Sequence, residues 1–264
     1  MHGIVEEVER LGPTYVRIAL GGEGLAGFEP KDATDSYINA AFPLPGASYS
    51  APFDLEDLKA LPREERPFRR RYTVRRWDPE ARKLWLEFSV HDVTGAGGRW
   101  ASQAEPGDAL VFTGPAGSYR PDPEADWHLL AGDESALPAI AASLEAVPAG
   151  APVFARILVD GPEDELDLDS PGALDLEWIH RGGADDPETI AASVRAIDSP
   201  PGRIQAFVHG EAEETRAVRR HLLAERGAGL DDLSCSPYWK RGMTDEEWRE
   251  IKAAWVAEVS REAS

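Results

Sequence analysis

Up to about Tyr119, apolar and polar positions alternate with a period of two. Val16, Ile18 and Leu20 alternate with Arg17 and Ala19, and Leu84, Leu86, Phe88 and Val90 alternate with Trp85, Glu87 and Ser89. Successive side chains of a strand point to opposite faces, so this is the period of half-buried strands. Gly107-Asp108 marks a turn before a further strand over 109–113. Together these segments predict an antiparallel sheet or small barrel. Pro121-Asp122-Pro123-Glu124 reads as a linker, because two prolines in three residues disfavour both helix and central strand.

Beyond the linker the texture changes to strand, helix, strand, helix. Trp127-His128-Leu129-Leu130-Ala131 leads into Gly132 and a helical stretch from Ser135 to Val147. Residues 153–159 form a continuous apolar run of buried-strand type, and Ile204-Gln205-Ala206-Phe207-Val208 precedes a helix from about Glu211 to Arg226. This alternation predicts a parallel sheet with helices on both faces. Thr244 and Glu247 have the spacing of a capping box, and Trp248, Ile251, Trp255 and Val259 are expected to line one face of a last helix. The expected organisation is two domains, 1–121 a β-barrel and 124–264 an α/β domain closed by that helix.

Composition narrows the chemistry. With 264 residues and 42% hydrophobic content, the chain can build a core in each domain. No apolar run approaches bilayer length, and Met1-His2-Gly3-Ile4-Val5-Glu6-Glu7 lacks a secretory pattern, so a cytoplasmic protein without membrane contact is expected. Cys235 is the single cysteine, which excludes intrachain disulfides, thiolate-held iron–sulfur clusters and two-thiol redox chemistry. Any redox function requires an organic cofactor. The histidines at 2, 91, 128, 180, 209 and 221 show no metal-ligand spacing, so no metal site is expected. Phosphate-loop and nucleophile-elbow motifs are absent, and Gly95-Ala96-Gly97-Gly98 begins like a dinucleotide fingerprint but lacks the third glycine.

The charge pattern is informative because the chain is so acidic, with a formal net charge of -20. Against that background Arg63, Arg66, Arg69, Arg70, Arg71, Arg75 and Arg76 cluster in one segment beside only Glu64 and Glu65. Nucleic acid is excluded as a partner, since phosphate-backbone binding favours a broad basic face. Two readings stay open from the residues alone: an anionic small ligand or cofactor, or a solvated charged strand.

Specific motifs then become recognisable. Arg70-Arg71-Tyr72-Thr73-Val74-Arg75 resembles the Arg-x-Tyr-Ser/Thr flavin motif of the ferredoxin–NADP reductase superfamily. Residues 130–140, from Leu130 to Ile140, and the ending Ser236-Pro237-Tyr238-Trp239-Lys240-Arg241-Gly242 resemble hallmarks of one branch, the siderophore-interacting proteins. With Gly98-Arg99-Trp100-Ala101 and Gly107-Asp108 between them, the resemblance covers nearly the whole chain. It implies an N-terminal antiparallel FAD-binding β-barrel followed by a parallel-sheet α/β domain that binds NAD(P)H. It also implies FAD-dependent reduction of a ferric siderophore at the expense of NADH or NADPH, with electrons passing through the flavin and no catalytic acid or nucleophile.

The resemblance assigns roles residue by residue. Arg70, Tyr72 and Thr73 would meet FAD, through a phosphate contact, aromatic packing and a hydrogen bond respectively. Gly98, Arg99, Trp100 and Ala101 open a short helix whose N–H groups suit a pyrophosphate, and His91 stands just before it. The alternative readings are Tyr72 and Trp100 as core aromatics and His91 as a structural histidine. Gly132, Asp133, Glu134 and Ser135 follow a predicted parallel strand and resemble the nicotinamide-nucleotide site, with Asp160 placed for an adenosine ribose. Helix capping is the other reading of the two carboxylates. Asp160, Glu163, Asp164 and Glu165 would oppose a 2′-phosphate, favouring NADH. Lys240 and Arg241 would attract an anionic ferric siderophore, or else form a basic pair flanking the last helix.

This sequence departs from the family pattern at Asn39 and Ala116, where relatives often carry a cation. Both departures favour a hydroxamate chelate over a tris-catecholate. A monomer is expected. Alternatives keep the flavin but change the donor or acceptor, as a ferredoxin-fed or general flavin reductase, or make the chain a non-catalytic siderophore- or nucleotide-binding module.

Overall fold

In the computed structural model, which describes residues 1–90, 95–183 and 186–262, the chain separates into two units, Met1–Ser118 and Tyr119–Ser264. The alternating segments of the first unit become β1 (His2–Arg10), β2 (Tyr15–Gly21), β3 (Tyr37–Phe42), β4 (Phe68–Asp78), β5 (Lys83–Ser89) and β6 (Ala109–Ala116), with helix α1 (Ala96–Gln103) ahead of β6. All pairings are antiparallel and close a barrel in the order β1-β2-β5-β4-β3-β6. Closure leaves no unpaired edge to be covered. Ile18, Leu20, Ile38, Leu84, Leu86, Phe88, Leu110 and Phe112 fill the interior.

The expected alternation holds along β5 at Leu84, Leu86 and Phe88 but not at Glu87, which is also buried. Its carboxylate accepts hydrogen bonds from Arg17 Nε and Nη2 at 3.0 and 2.7 Å and lies 3.6 Å from Arg75 Nε. A buried carboxylate requires such pairing. Arg75 occupies the extra position of a bulge, where the register of β4 against β5 shifts between Val74 and Arg76. Bulges re-aim side chains at barrel rims, and this one aims a cation at Glu87.

The second unit contains β7 (Trp127–Asp133), α2 (Leu137–Ala146), β8 (Pro152–Val159), β9 (Ala173–His180), α3 (Thr189–Ala196), β10 (Ile204–Glu211), α4 (Ala212–Ala224), β11 (Leu233–Trp239) and α5 (Asp245–Arg261). Its five strands are all parallel, in the order β11-β10-β7-β8-β9. The chain runs outward from β7 to β9 and then returns to the other side of β7 for β10 and β11. Right-handed crossovers therefore place α2 on one face and α3 and α4 on the other. Leu129, Ala131, Ala206 and Val208 accordingly share a core with Ile190, Val194, Val218 and Leu222.

Helix α5 carries the expected capping box between Thr244 and Glu247. Its apolar face is narrower than the sequence pattern implies. Trp248 and Val259 are buried and Trp255 packs on Trp248 with ring centroids 5.7 Å apart, but Ile251 is 40% exposed. At 3.6 residues per turn, Trp248, Trp255 and Val259 fall within about 40° of one another, whereas Ile251 stands about 60° from Trp248. Among the described residues no helix is long and apolar enough to cross a membrane.

Candidate functional site

The arginine segment has several structural uses. Arg66 donates to the carbonyls of Leu61 and Lys59, Arg69 to the Asn39 carbonyl and Thr113 Oγ1, and Arg71 and Arg76 lie over the rings of Tyr37 and Trp85. Arg70 takes the inward parity of β4 together with Phe68, Tyr72 and Val74. Its guanidinium lies over the Phe68 ring, and Nη1 donates to the Arg69 carbonyl at 3.0 Å. Thr73 has the opposite parity and pairs with Tyr37 of β3.

The fold brings this strand against α1. The Tyr72 ring is 4.2 Å from Phe88 and 6.1 Å from Phe42, and Trp100 reaches the same two rings at 5.6 and 5.8 Å. A Cβ on Gly97 would fall 1.7 Å from the Tyr72 hydroxyl, so only glycine permits this approach. Gly98 and Ala101 are buried beneath, while Arg99 is exposed. Helix α1 has no side-chain cap and no carboxylate in its first turn. Among the described residues, no side chain therefore takes up its N-terminal N–H groups and partial positive charge, which suit an anion. The structure brings Tyr72 together with residues 97–100 of α1, and Arg70 shares the inward parity of β4 two residues away, whereas Thr73 has the opposite parity; the glycine, cationic and aromatic groups of this region fit a flavin dinucleotide. His91 lies outside the described residues.

In the second unit the strand order reverses between β7 and β10, and ligands of open α/β sheets bind beyond the carboxyl ends of the strands at such a switch point. A Cβ on Gly132 would fall 2.2 Å from the His209 carbonyl, so glycine lets β7 and β10 close up there. Asp133 is fully buried and serves the fold. One oxygen accepts from the Ser135 N–H and Oγ at 2.9 and 2.5 Å, and the other from the Glu211 N–H and Trp239 Nε1 at 2.8 and 2.7 Å. With four donors on two oxygens its hydrogen-bonding capacity is filled.

Glu134 faces Arg181, whose Nη2 is 2.6 Å from its carboxylate and whose Nη1 reaches Asp160 at 2.7 Å. Burial, then the Asp133 charge, push Glu134 up to about 7 against the opposing guanidinium. Burial works against the Arg181 charge as well, but Glu134 and Asp160 more than offset it and raise its pKa. Asp160 remains about half exposed. Arg181 carries no signal in the sequence, because it follows β9, an edge strand of alternating exposure, and only the sheet order brings it to the ends of β7 and β8.

Lys240 and Arg241, at the end of β11, are both held by the first turn of α4. Lys240 Nζ donates to Glu213 Oε1 at 2.5 Å, and Arg241 Nη2 donates to Glu214 Oε1 at 2.9 Å. Glu211 caps α4 by accepting from the N–H groups of Glu213 and Glu214, and it also accepts from the Arg241 N–H. Glu214 is pushed up to about 7 by burial and by the neighbouring Asp133 and Glu211 charges. The N-terminus of α4 is therefore already filled with carboxylates and does not fit a phosphate, in contrast to α1. No group of three His, Cys, Asp or Glu among the described residues is placed to hold a metal ion.

The similarities to known proteins follow the same division. Residues 4–119 match the siderophore-interacting FAD-binding domain, and residues 125–242 match the siderophore-interacting protein family. The ferric vibriobactin reductase ViuB of Vibrio cholerae is 36% identical over 240 residues, covering 89% of this chain and 87% of that protein. The NADPH-dependent ferric-chelate reductase of Escherichia coli is 31% identical over 225 residues, covering 84% and 86%. The crystal structure of a siderophore utilization protein from T. fusca superposes with a TM-score of 0.79 at 36% identity, covering 93% of this chain and 94% of that one. A closed antiparallel barrel with a glycine-opened helix, a five-stranded parallel sheet and matches over most of the chain have one conclusion: the protein belongs to the siderophore-interacting protein family, with an FAD-binding domain in its N-terminal unit.

Proposed function

We propose that the chain is a flavin-dependent ferric-siderophore reductase, with the flavin held by β4 and α1 and a nicotinamide nucleotide at the switch point of the second unit. The observation that carries this is the first turn of α1. In a chain of net charge -20, that first turn has no carboxylate and no side-chain cap among the described residues, and Gly97 in it rests against Tyr72 of the strand that also bears Arg70. Arg70 and the α1 N–H groups would hold the diphosphate, and Tyr72 and Thr73 the ring system. When bound, FAD supplies two-electron acceptance from a nicotinamide and one-electron donation to ferric iron. Ferrous iron binds hard oxygen donors less tightly, so reduction releases it from the chelate.

For the donor, NADH is favoured over NADPH. Arg181 is the cation that pairs with Asp160, the residue expected at the ribose, and Glu134 and Asp160 already engage two of its guanidinium nitrogens. The half-exposed Asp160 suits a ribose diol better than a phosphate. Stopped-flow reduction of the flavin is expected to be faster with NADH, and a clear NADPH preference overturns this. Reduction by ferredoxin alone would assign the donor to that protein instead. For the acceptor, a hydroxamate chelate is favoured, because Asn39 and Ala116 provide no charge and Lys240 and Arg241 are ion-paired. A nicotinamide donor implies the cytoplasm, where that reductant is made. We expect a monomer, which size-exclusion chromatography checks.

The direct test is reconstitution with FAD. An absorbance spectrum without flavin bands would eliminate every flavoenzyme reading and leave a non-catalytic binding module. Arg70→Ala is expected to weaken FAD binding by about 1.5–3 kcal/mol, the usual effect of losing a charged hydrogen bond. An unchanged FAD dissociation constant in that variant overturns the role of Arg70.

A further inference from the structure

Lys240 sits in a closed arrangement that the proposed function does not require. Its ammonium donates to Glu213 Oε1 at 2.5 Å and lies 5.7 Å from the centroid of the Trp255 ring. Trp255 Nε1 donates to the same Glu213 oxygen at 3.3 Å, so the C-terminal helix α5 fixes the carboxylate while its indole covers the cation. The Lys240 side chain is 20% exposed and that of Glu213 is 37% exposed. Burial would raise the Glu213 pKa, but the Lys240 donor and charge, with smaller help from the Trp255 N–H and from Arg216 at 3.4 Å, more than offset it and keep the carboxyl below the usual range, so Glu213 is an anion at neutral pH.

We propose that Glu213 and Trp255 form a latch on Lys240 that an anionic ferric chelate must open, making these two positioning residues determinants of chelate selectivity. The inference rests on Lys240 being a chelate-binding cation. A chelate bearing net negative charge competes with the Glu213 carboxylate for one ammonium, whereas an uncharged chelate has no electrostatic gain from displacing it. With the latch closed, the site discriminates against highly charged chelates. Glu213 disfavours the wrong ligand by offering Lys240 a better partner, a recognised route to specificity. Trp255 strengthens it twice, through its N–H and through its ring face.

The test compares the FAD-loaded full-length protein with Glu213→Gln, Glu213→Asp and Lys240→Ala variants. The probes are a hexadentate trianionic tris-catecholate chelate of iron(III) and an uncharged tris-hydroxamate chelate of iron(III), titrated calorimetrically and assayed as substrates. Releasing a partly exposed ion pair of this kind should tighten binding of the trianionic chelate by about three- to tenfold at low salt. The change is expected in KM more than in kcat, to shrink as salt rises, and to be much smaller for the uncharged chelate. Glu213→Asp should restore values close to those of the parent protein. In the Lys240→Ala background, Glu213→Gln should have little further effect on chelate binding, because the latch acts through the Lys240 contact, and Arg216, which also pairs with Glu213, keeps Glu262 as a partner. If Lys240→Ala weakens binding but Glu213→Gln leaves it unchanged, the latch is wrong while the Lys240 assignment survives. If Glu213→Gln tightens binding equally with and without Lys240, Glu213 acts through general charge and the latch is again wrong. If Lys240→Ala alters neither probe, the underlying assignment fails and the latch fails with it. Trp255→Phe, which keeps the ring and removes the N–H, should give a smaller gain in the same direction, and an unchanged affinity in both this variant and Glu213→Gln overturns the proposal without relying on either fold being perturbed.

Discussion

Asp133 illustrates how a residue in a recognisable motif can belong to the fold. All four of its hydrogen-bond partners are donors: the Ser135 N–H and Oγ on one oxygen, and the Glu211 N–H and Trp239 Nε1 on the other. An isosteric amide can accept at one of these positions and presents N–H groups to donors at the other. Asp133→Asn is therefore expected to destabilise the protein by at least about 2 kcal/mol, in the range for an unsatisfied buried group. Urea unfolding of the FAD-free protein measures it. A normal unfolding midpoint combined with a raised nucleotide KM would return Asp133 to the ligand. From the sequence alone both readings of this carboxylate were open, because the donors that fill it come from three different segments. Tyr72 is similar, since only the fold shows that its hydroxyl rests against Gly97.

At the scale of elements, the helix starts divide by what they can receive. Helix α1 begins without a cap or a carboxylate, α4 begins with Glu211, Glu213 and Glu214, and α5 begins with a capping box at Thr244. An N-terminus satisfied by its own side chains has little left for a ligand, and α1 alone of these three retains that capacity. Thr244→Ala should remove about 1 kcal/mol of local stability from α5. Amide exchange over residues 245–248 reports it, and unchanged protection there shows that packing of Trp248 holds the helix start instead. The capping box was legible because it is a local pattern, as was the alternation of β2 and β5. Strand β9 and helix α3 were not read from the sequence. Along β9, Leu174, Leu176 and Trp178 alternate with polar or charged residues on an edge strand, a pattern shared with antiparallel strands that gives no hint of parallel pairing with β8.

At the scale of the whole molecule, stability should depend on pH through carboxyls buried at the end of the parallel sheet. Glu134 and Glu214 rise from an ordinary value near 4.5 to about 7. The folded chain therefore holds protons that the unfolded chain releases between those values. Their contribution is complete below about pH 4.5 and is lost as pH rises through 7. His209 has the opposite sign, since burial holds it down to about 3, and its contribution is lost as pH falls below its ordinary value near 6.5. A single variant separates the two. Glu214→Gln fixes the neutral form, so its urea midpoint relative to the parent protein should improve as pH rises from about 5 to about 7 and level off above that. A difference that does not vary with pH shows that Glu214 is ionised throughout.

Legible along the chain were the two-part architecture, a strand and glycine-rich helix start resembling a flavin motif, and the lack of a second thiol for disulfide chemistry. Each of these is written in local periodicity, short motifs or simple counts. Only the tertiary structure decided which charges are available to ligands. Arg75 is bound to a buried Glu87 through a bulge, Arg181 is brought to Glu134 and Asp160 by the order of parallel strands, and Lys240 is closed over by Glu213 and Trp255. The physical reason is that a side chain's charge is fixed by its residue type, whereas its accessibility depends on partners contributed by distant segments: carboxylates at Arg17, Arg181 and Lys240, but carbonyls or aromatic rings at Arg66, Arg69 and Arg76.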